Sequence, residues 1–311
     1  MRVLVTGASG FVGRWVVSAL RLRGHDVIAV SRNGQPVDVS GCDGVQWRTA
    51  NLLQRSDIDS LIQKESPAGL IHCAWDTTPG TYWTASANLN WVASSLQLLE
   101  AFVQNGGQRA MVAGTSAEYC WKNSGSLNES DSVIAPNTLY GVSKNALRQI
   151  LEQWAETNTL SLAWGRVFCP FGPLEKSDRL IPRLIQQLSC GQEFPFDSGD
   201  LIRDFLSVED LGDAFASVFD SDFEGAINLA SGTDLSIRDL VTLIADHFGT
   251  QDTLRFGVSP DPVGQPMRIV ADISRLKNEV CWTPGRSMPD RIRETCDWWL
   301  TRQTSGNQPK K

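Results

Sequence analysis

Histidine is scarce in this chain, three residues among 311, so a histidine-based metal centre has few ligands to draw on. Close cysteine pairs are missing as well. The seven residues Cys42, Cys73, Cys120, Cys169, Cys190, Cys281 and Cys296 are scattered and odd in number. That pattern argues against a disulfide framework or a zinc site and fits reduced thiols in a cytoplasmic protein. No apolar run approaches the ~20 residues needed to span a bilayer. No signal peptide is expected either, because Arg2–Thr6 enters a strand pattern at once. Positive charge is in deficit: 28 Lys and Arg against 35 Asp and Glu, a net charge of −7. This balance disfavours nucleic acid and anionic membranes as partners.

The chain does have apolar content for a sizeable core, at 41% of residues. Short apolar runs at Arg2–Thr6, Asp26–Ser31, Gly69–Cys73, Arg109–Thr115 and Ser161–Arg166 predict strands. Between them, helical spacing predicts helices over Phe11–Arg23, Trp91–Gln104 and Leu139–Glu156. Such alternation predicts an α/β fold, a Rossmann-like doubly wound parallel sheet covered on both faces. After Arg166 the rhythm breaks at Pro170–Pro173 and again over Gly191–Gly199, then returns at Arg203–Asp220 and Ser236–Gly249. The expected division is a dinucleotide domain of residues 1–165 plus about 203–231, and a smaller substrate lobe of about 166–202 and 232–304. The polar residues 305–311 are expected to form a disordered tail.

The first strand runs into Gly7-Ala8-Ser9-Gly10-Phe11-Val12-Gly13 and then a helix. Gly7 permits a tight turn, Gly10 lets backbone amides approach a pyrophosphate, and Gly13 lets the helix pack closely on the strand. A coincidental glycine turn is the bland alternative. The second strand ends in Val30-Ser31-Arg32-Asn33, with no carboxylate to accept bonds from an adenosine ribose. Arg32 there suits the 2′-phosphate of NADP, with Ser31 and Asn33 adding hydrogen bonds, unless it is a solvated loop residue. NADPH is thus favoured, with NAD the alternative.

Residues 140–144 read Tyr-Gly-Val-Ser-Lys, placing Tyr140 and Lys144 on one helix face. A lysine ammonium lowers a tyrosine pKa, so that the phenol can exchange a proton with a substrate oxygen. Thr115, ending the preceding strand, supplies a hydroxyl partner.

These motifs resemble the extended short-chain dehydrogenase/reductases, the sugar-nucleotide epimerase, dehydratase and reductase group. The likeness continues through Gly165-Arg166-Val167-Phe168-Cys169-Pro170-Phe171-Gly172-Pro173, Arg203-Asp204-Phe205 and Cys281-Trp282-Thr283-Pro284. It implies catalytic roles for Thr115, Tyr140 and Lys144. It implies a cofactor-binding set of Gly7, Ser9, Gly10, Phe11, Val12, Gly13, Ser31, Arg32, Asn51, Leu52, Cys73, Ala74 and Trp75, together with Tyr140 and Lys144. Substrate contacts are implied for Ser116, Cys169 and Arg203, the last holding a nucleotide diphosphate or, alternatively, pairing with Glu209 or Asp210. His72 is expected to be packed rather than catalytic, and a homodimer through the second and third predicted helices is implied.

Ser116 and Ala117 follow Thr115 where the family's dehydratases carry acids, so elimination lacks its base. Glu118, one position later, points to the other face if the segment is extended. Cys169 replaces a common asparagine and leaves the substrate's placement open. Trp75, Trp83, Trp91 and Trp121 suit either a wall for a deoxysugar or ordinary packing. The resulting expectation is an NADPH-dependent reductase of a nucleotide-linked 4-keto-6-deoxy sugar. The alternatives are a 4-epimerase holding NAD, a reductase of a smaller carbonyl, and, last, a non-enzymatic dinucleotide sensor.

Overall fold

The computed structural model describes residues 1–36, 44–122, 125–260 and 264–306. The chain runs β1 (Arg2–Thr6), α1 (Gly13–Leu22), β2 (Asp26–Ser31), β3 (Gln46–Thr49), α2 (Arg55–Glu65), β4 (Gly69–His72), α3 (Ala87–Gln104), β5 (Arg109–Thr115), α4 (Leu139–Asn158) and β6 (Ser161–Val167). Next come β7 (Cys169–Phe171), α5 (Leu180–Leu188), β8 (Phe194–Pro195), β9 (Ile202–Arg203), β10 (Phe205–Ser207), α6 (Val208–Asp220) and β11 (Gly225–Leu229). The last elements are β12 (Leu235–Ser236), α7 (Ile237–Phe248), β13 (Leu254–Arg255), β14 (Arg268–Ile269), α8 (Ser274–Asn278) and α9 (Met288–Gly306).

Seven strands form one parallel sheet in the order β11-β6-β5-β4-β1-β2-β3, so the strand order reverses between β1 and β4. A crevice opens at the carboxyl ends of the strands at such a point, which is where open α/β sheets take ligands. The central strands are nearly all apolar because both faces are covered. One core layer joins Val3, Val5, Val16 and Leu20 to Leu211, Phe215 and Phe219, under α1 and α6. The other joins Leu4, Ile28 and Leu70 to Ile58, Leu98 and Leu147, under α2, α3 and α4. A third core, with Phe171, Leu184, Ile185, Leu240, Ile244 and Ile292, unites α5, α7 and α9.

Several boundaries differ from the sequence expectations. α1 starts at Gly13 rather than Phe11, because residues 7–12 are committed to the glycine turn. α3 starts four residues before Trp91, at Ala87. β3 escapes the pattern because Gln46–Thr49 is a short, half-exposed edge strand. The proline-rich stretch after Arg166 is not all irregular: Cys169–Phe171 forms β7 and pairs in parallel with β10. Pro182 lies in the first turn of α5, where a proline costs no helical hydrogen bond. Ser305 and Gly306, expected in the tail, extend α9, while residues 307–311 lie outside the described residues. The six described cysteines are free thiols, and Cys42 lies outside the described residues.

Candidate active site

The turn between β1 and α1 is built as a phosphate cradle requires. Gly7 sits at φ +66, and a Cβ there would meet the Ala74 backbone nitrogen at 2.8 Å. A Cβ on Gly13 would meet the Gly7 carbonyl oxygen at 2.2 Å, so only glycine lets α1 begin this close to the strand. Gly10 is exposed, and Ser9, Phe11 and Val12 around it are half-buried. No side chain caps the start of α1, and the first amides of a helix lack intrahelical partners. These residues fit a dinucleotide pyrophosphate. Arg14, which the sequence reading passed over, braces the turn by donating to the Ser9 carbonyl at 2.6 Å and the Gly10 carbonyl at 3.2 Å. Its signal was a position four residues beyond Gly10, in the first turn of α1.

At the end of β2, Arg32 and Asn33 are exposed. Ser31 is buried, and its hydroxyl donates to the Gly34 carbonyl, so it shapes the turn that carries Arg32. The Asp76 carboxyl is held below its usual range, chiefly by the Thr78 hydroxyl, with smaller pulls from Lys176 and Arg32. Arg32 is thus within electrostatic reach of the loop after β4. Asn51 and Leu52 follow β3. The Asn51 amide donates to Asp57, and the Leu52 carbonyl accepts from Ser94, which fixes this edge of the crevice.

Thr115, Tyr140 and Lys144 converge, each at most 8% exposed. Thr138 caps α4 by accepting from the Gly141 amide at 3.1 Å, so Tyr140 enters on the first turn. Lys144, one turn further on, donates to the Ala113 carbonyl at 2.7 Å and lies 3.8 Å from the centre of the Trp75 ring. Burial pulls the Lys144 ammonium down to about 7, while the Glu118 charge pulls the other way. Burial also pushes the Tyr140 phenol up, with Thr115 opposing. The lysine-lowered tyrosine expected from the sequence is therefore not what the cleft presents: desolvation outweighs the neighbours and keeps the phenol protonated. His72 is packed as expected, 2.6 Å from Thr6 and 2.9 Å from Ser95, and burial holds it down to about 3. Cys73 and Ala74 pass beneath the cradle, the Cys73 thiol pushed up to about 12 by burial.

An aromatic wall surrounds Tyr140. Tyr82 and Trp83 meet its ring edge-to-face at 5.0 and 5.7 Å, and Trp75 does so at 6.4 Å. Trp121 packs on Trp83, and Trp91 stacks on Trp75. Asn88 fixes this loop: its carbonyl accepts from the Trp75 indole at 2.8 Å and its amide donates to the Tyr82 and Ala85 carbonyls. The Tyr140 amide donates to the Trp83 carbonyl at 3.1 Å. Tyr82 was not foreseen, because its loop has no periodicity to reveal it.

Ser116–Glu118 is a tight 3-10 turn rather than an extended segment, so the expected strand alternation does not apply. Glu118 instead folds back beneath Thr115 with no exposed surface. Ser116 is buried beside Thr115, and its carbonyl accepts from the Trp121 indole. The Cys169 thiol is pushed up to about 12 by burial, opposed by the neighbouring Arg203. Arg203 makes no ion pair with Glu209 or Asp210; it donates to the Ile202 carbonyl at 2.8 Å and weakly to Gln265 at 3.3 Å. Asp210 is paired with Arg291 instead. Asp204, the next residue, accepts from the Ser231, Gly232 and Ala271 amides and anchors the Arg-Asp-Phe motif in the fold. Among the described residues no cluster of His, Cys, Asp or Glu is placed to hold a metal ion. No described helix is long and apolar enough to cross a membrane.

A glycine cradle at a Rossmann switch point beside a buried Thr-Tyr-Lys group defines an NAD(P)-dependent oxidoreductase or epimerase. Residues 3–230 match the model of the NAD dependent epimerase/dehydratase family, and the chain belongs to that family. It is 30% identical to a dTDP-6-deoxy-L-talose 4-dehydrogenase (NAD(+)) of Aggregatibacter actinomycetemcomitans, over 79% of this chain and 91% of the relative. It is 26% identical to a dTDP-4-dehydro-6-deoxy-D-allose reductase of Streptomyces bikiniensis, over 96% and 95%. Epimerases and 4,6-dehydratases stand among its other relatives. Its fold matches that of the Thermus thermophilus UDP-glucose 4-epimerase complex with NAD, with a TM-score of 0.85, 23% identity and coverage of 96% and 99%.

Proposed function

We propose that this protein is an NADPH-dependent reductase of a nucleotide-linked 4-keto-6-deoxy sugar. The observation that carries the reading is the chemistry around Tyr140: a protonated phenol against an aromatic wall, with the adjacent carboxylate, Glu118, turned into the core. Such a site can give a proton to an oxygen, while Glu118, bonded into the core, is not placed to serve as the base of an elimination. The apolar wall suits the methyl-bearing face of a 6-deoxy sugar. The two relatives that act on 6-deoxy sugars at C4 support the same substrate class.

A bound dinucleotide supplies the hydride. Tyr140 then protonates the oxygen on the reduced carbon, with Thr115 donating to that oxygen and orienting it. Lys144, charged, steadies the phenolate that remains. Cys169 and Arg203 are assigned to the nucleotide part from the smaller lobe, with Arg203 in no ion pair among the described residues and so available to a diphosphate. Residues 166–202 and 232–304 supply that lobe. Exposed Leu89, Val142 and Ile150 on α3 and α4 support pairing with a second copy there.

Arg32 separates this reading from a 4-epimerase that keeps NAD bound. Arg32→Asp is expected to weaken NADPH ~10–100-fold, the scale of a lost charge-assisted phosphate contact, and NADH little. Fluorescence titration of the stripped protein with both nucleotides checks this. Equal losses for the two would contradict the role given to Arg32.

A further inference from the structure

Lys144 is buried, yet among the described residues it makes no ion pair, and its hydrogen bond goes to the Ala113 carbonyl at 2.7 Å. What meets its ammonium is a ring: Nζ lies 3.8 Å from the centre of Trp75. That is well inside the ~6 Å at which an aromatic face attracts a cation, and indole attracts most strongly. Three contacts fix the ring in that place. Its N–H donates to Asn88 Oδ1 at 2.8 Å, Trp91 stacks on it at 6.1 Å with 26° between the planes, and Tyr140 meets it edge-to-face at 6.4 Å. Asn88 is itself held, donating to the Tyr82 carbonyl at 2.7 Å and the Ala85 carbonyl at 2.8 Å. A donated N–H polarises the indole, which leaves its face richer in negative charge. Packing alone would be served by any large apolar side chain; a cation seated over the face would not.

We infer that Trp75 is a positioning residue for the reduction: its indole face stands where a carboxylate would and holds the Lys144 ammonium, with the Ala113 carbonyl, one turn from Tyr140. An ammonium has three N–H groups. The carbonyl takes one and the ring a second, which leaves the third for the phenolate that proton transfer leaves on Tyr140. A carboxylate in contact would cancel the charge that this phenolate needs; a ring attracts the cation without cancelling it. The other titratable groups around Lys144 are His72 and Cys73 at the end of β4, Glu118 in the turn after β5, and Tyr140. Burial keeps His72, Cys73 and Tyr140 neutral, and Glu118 is bonded to Arg166. Burial also opposes the charge on Lys144, so the attraction of the ring raises its midpoint and weakening that attraction lowers it. This role for Trp75 rests on the one given above to Lys144.

Tryptophan analogues bearing one, two and three ring fluorines, placed at position 75 of the full chain, drain the negative charge of the face while nearly keeping its shape. Removing the ring outright would instead admit water, which raises a buried lysine's midpoint and hides the effect. Lysine Cε carbons are labelled with 13C and titrated by NMR, the Lys144 signal being identified by its loss in Lys144→Met. The Lys144 midpoint is expected to fall with each fluorine, by about one unit over the series, the scale of a desolvated cation–π contact. At pH 7 kcat falls with it, about fivefold per unit from a midpoint at about 7, with KM for the sugar little changed. Trp75→Phe and Trp75→Leu form a second comparison. Both are smaller than tryptophan and admit water, so the remaining ring separates them, and the midpoint should lie about half a unit higher in Trp75→Phe. A midpoint indifferent to the fluorines, or one no higher in Trp75→Phe than in Trp75→Leu, overturns the inference. Because the titration needs no substrate, a wild-type protein inactive on keto sugars whose midpoint follows the fluorines would overturn the reductase reading and leave this inference standing.

Discussion

Tyr140→Phe will lower kcat for carbonyl reduction by ~10²–10⁴-fold, the usual worth of a positioned acid, and will leave dinucleotide affinity nearly unchanged. Phenylalanine keeps the ring that Tyr82, Trp83 and Trp75 pack against, so the wall and the fold should survive. What is lost is the phenol proton held next to Thr115. Burial keeps that proton on the phenol, which suits donation to a new alkoxide. Steady-state kinetics with a nucleotide-linked keto sugar, beside a dinucleotide titration, separate the two effects. Turnover at the wild-type rate would remove Tyr140 from the chemistry.

Gly7→Ala is expected to destabilise the protein by about 2–5 kcal/mol, combining left-handed backbone strain with overpacking. The added methyl would press on the Cys73 and Ala74 backbone at 2.8–2.9 Å, just where β4 gives way to the loop bearing Trp75. Trp75 stacks over Lys144, so the disturbance runs from the cradle to the reactive group. Dinucleotide affinity should fall at least ~10-fold, about 1.4 kcal/mol. Gly24→Ala is the control: it too has positive φ, +81, but nothing lies within 4 Å of the added carbon. It should show the strain without the loss of binding. Thermal unfolding and nucleotide titration on both variants decide the matter, and matched losses would mean that strain alone explains Gly7.

The sheet was legible because its strands are buried on both faces and announce themselves as apolar runs. β1, β2 and β5 have the same limits in sequence and structure. β3 was not legible, since an edge strand of four half-exposed residues carries no such run. The glycine turn and the Tyr140–Lys144 spacing could be read because each depends on local geometry within one element. The surroundings of Tyr140 could not. Desolvation of the phenol comes from Tyr82 and Trp83, nearly sixty residues upstream, and no periodicity reveals that contact. Glu118 was misplaced for a similar reason. An extended segment would turn it outward, but the 3-10 turn at Ser116 brings it back to Arg166 across a strand partner.

The central claim is that hydride leaves an exchangeable cofactor and stays on the sugar. NADPH carrying deuterium at the transferable C4 position, incubated with a dTDP-linked 4-keto-6-deoxyhexose, tests it most directly. The account predicts one deuterium at sugar C4 for each NADPH consumed. Tightly retained NAD, no net consumption of NADPH, and interconversion of 4-hydroxyl epimers without label would contradict it.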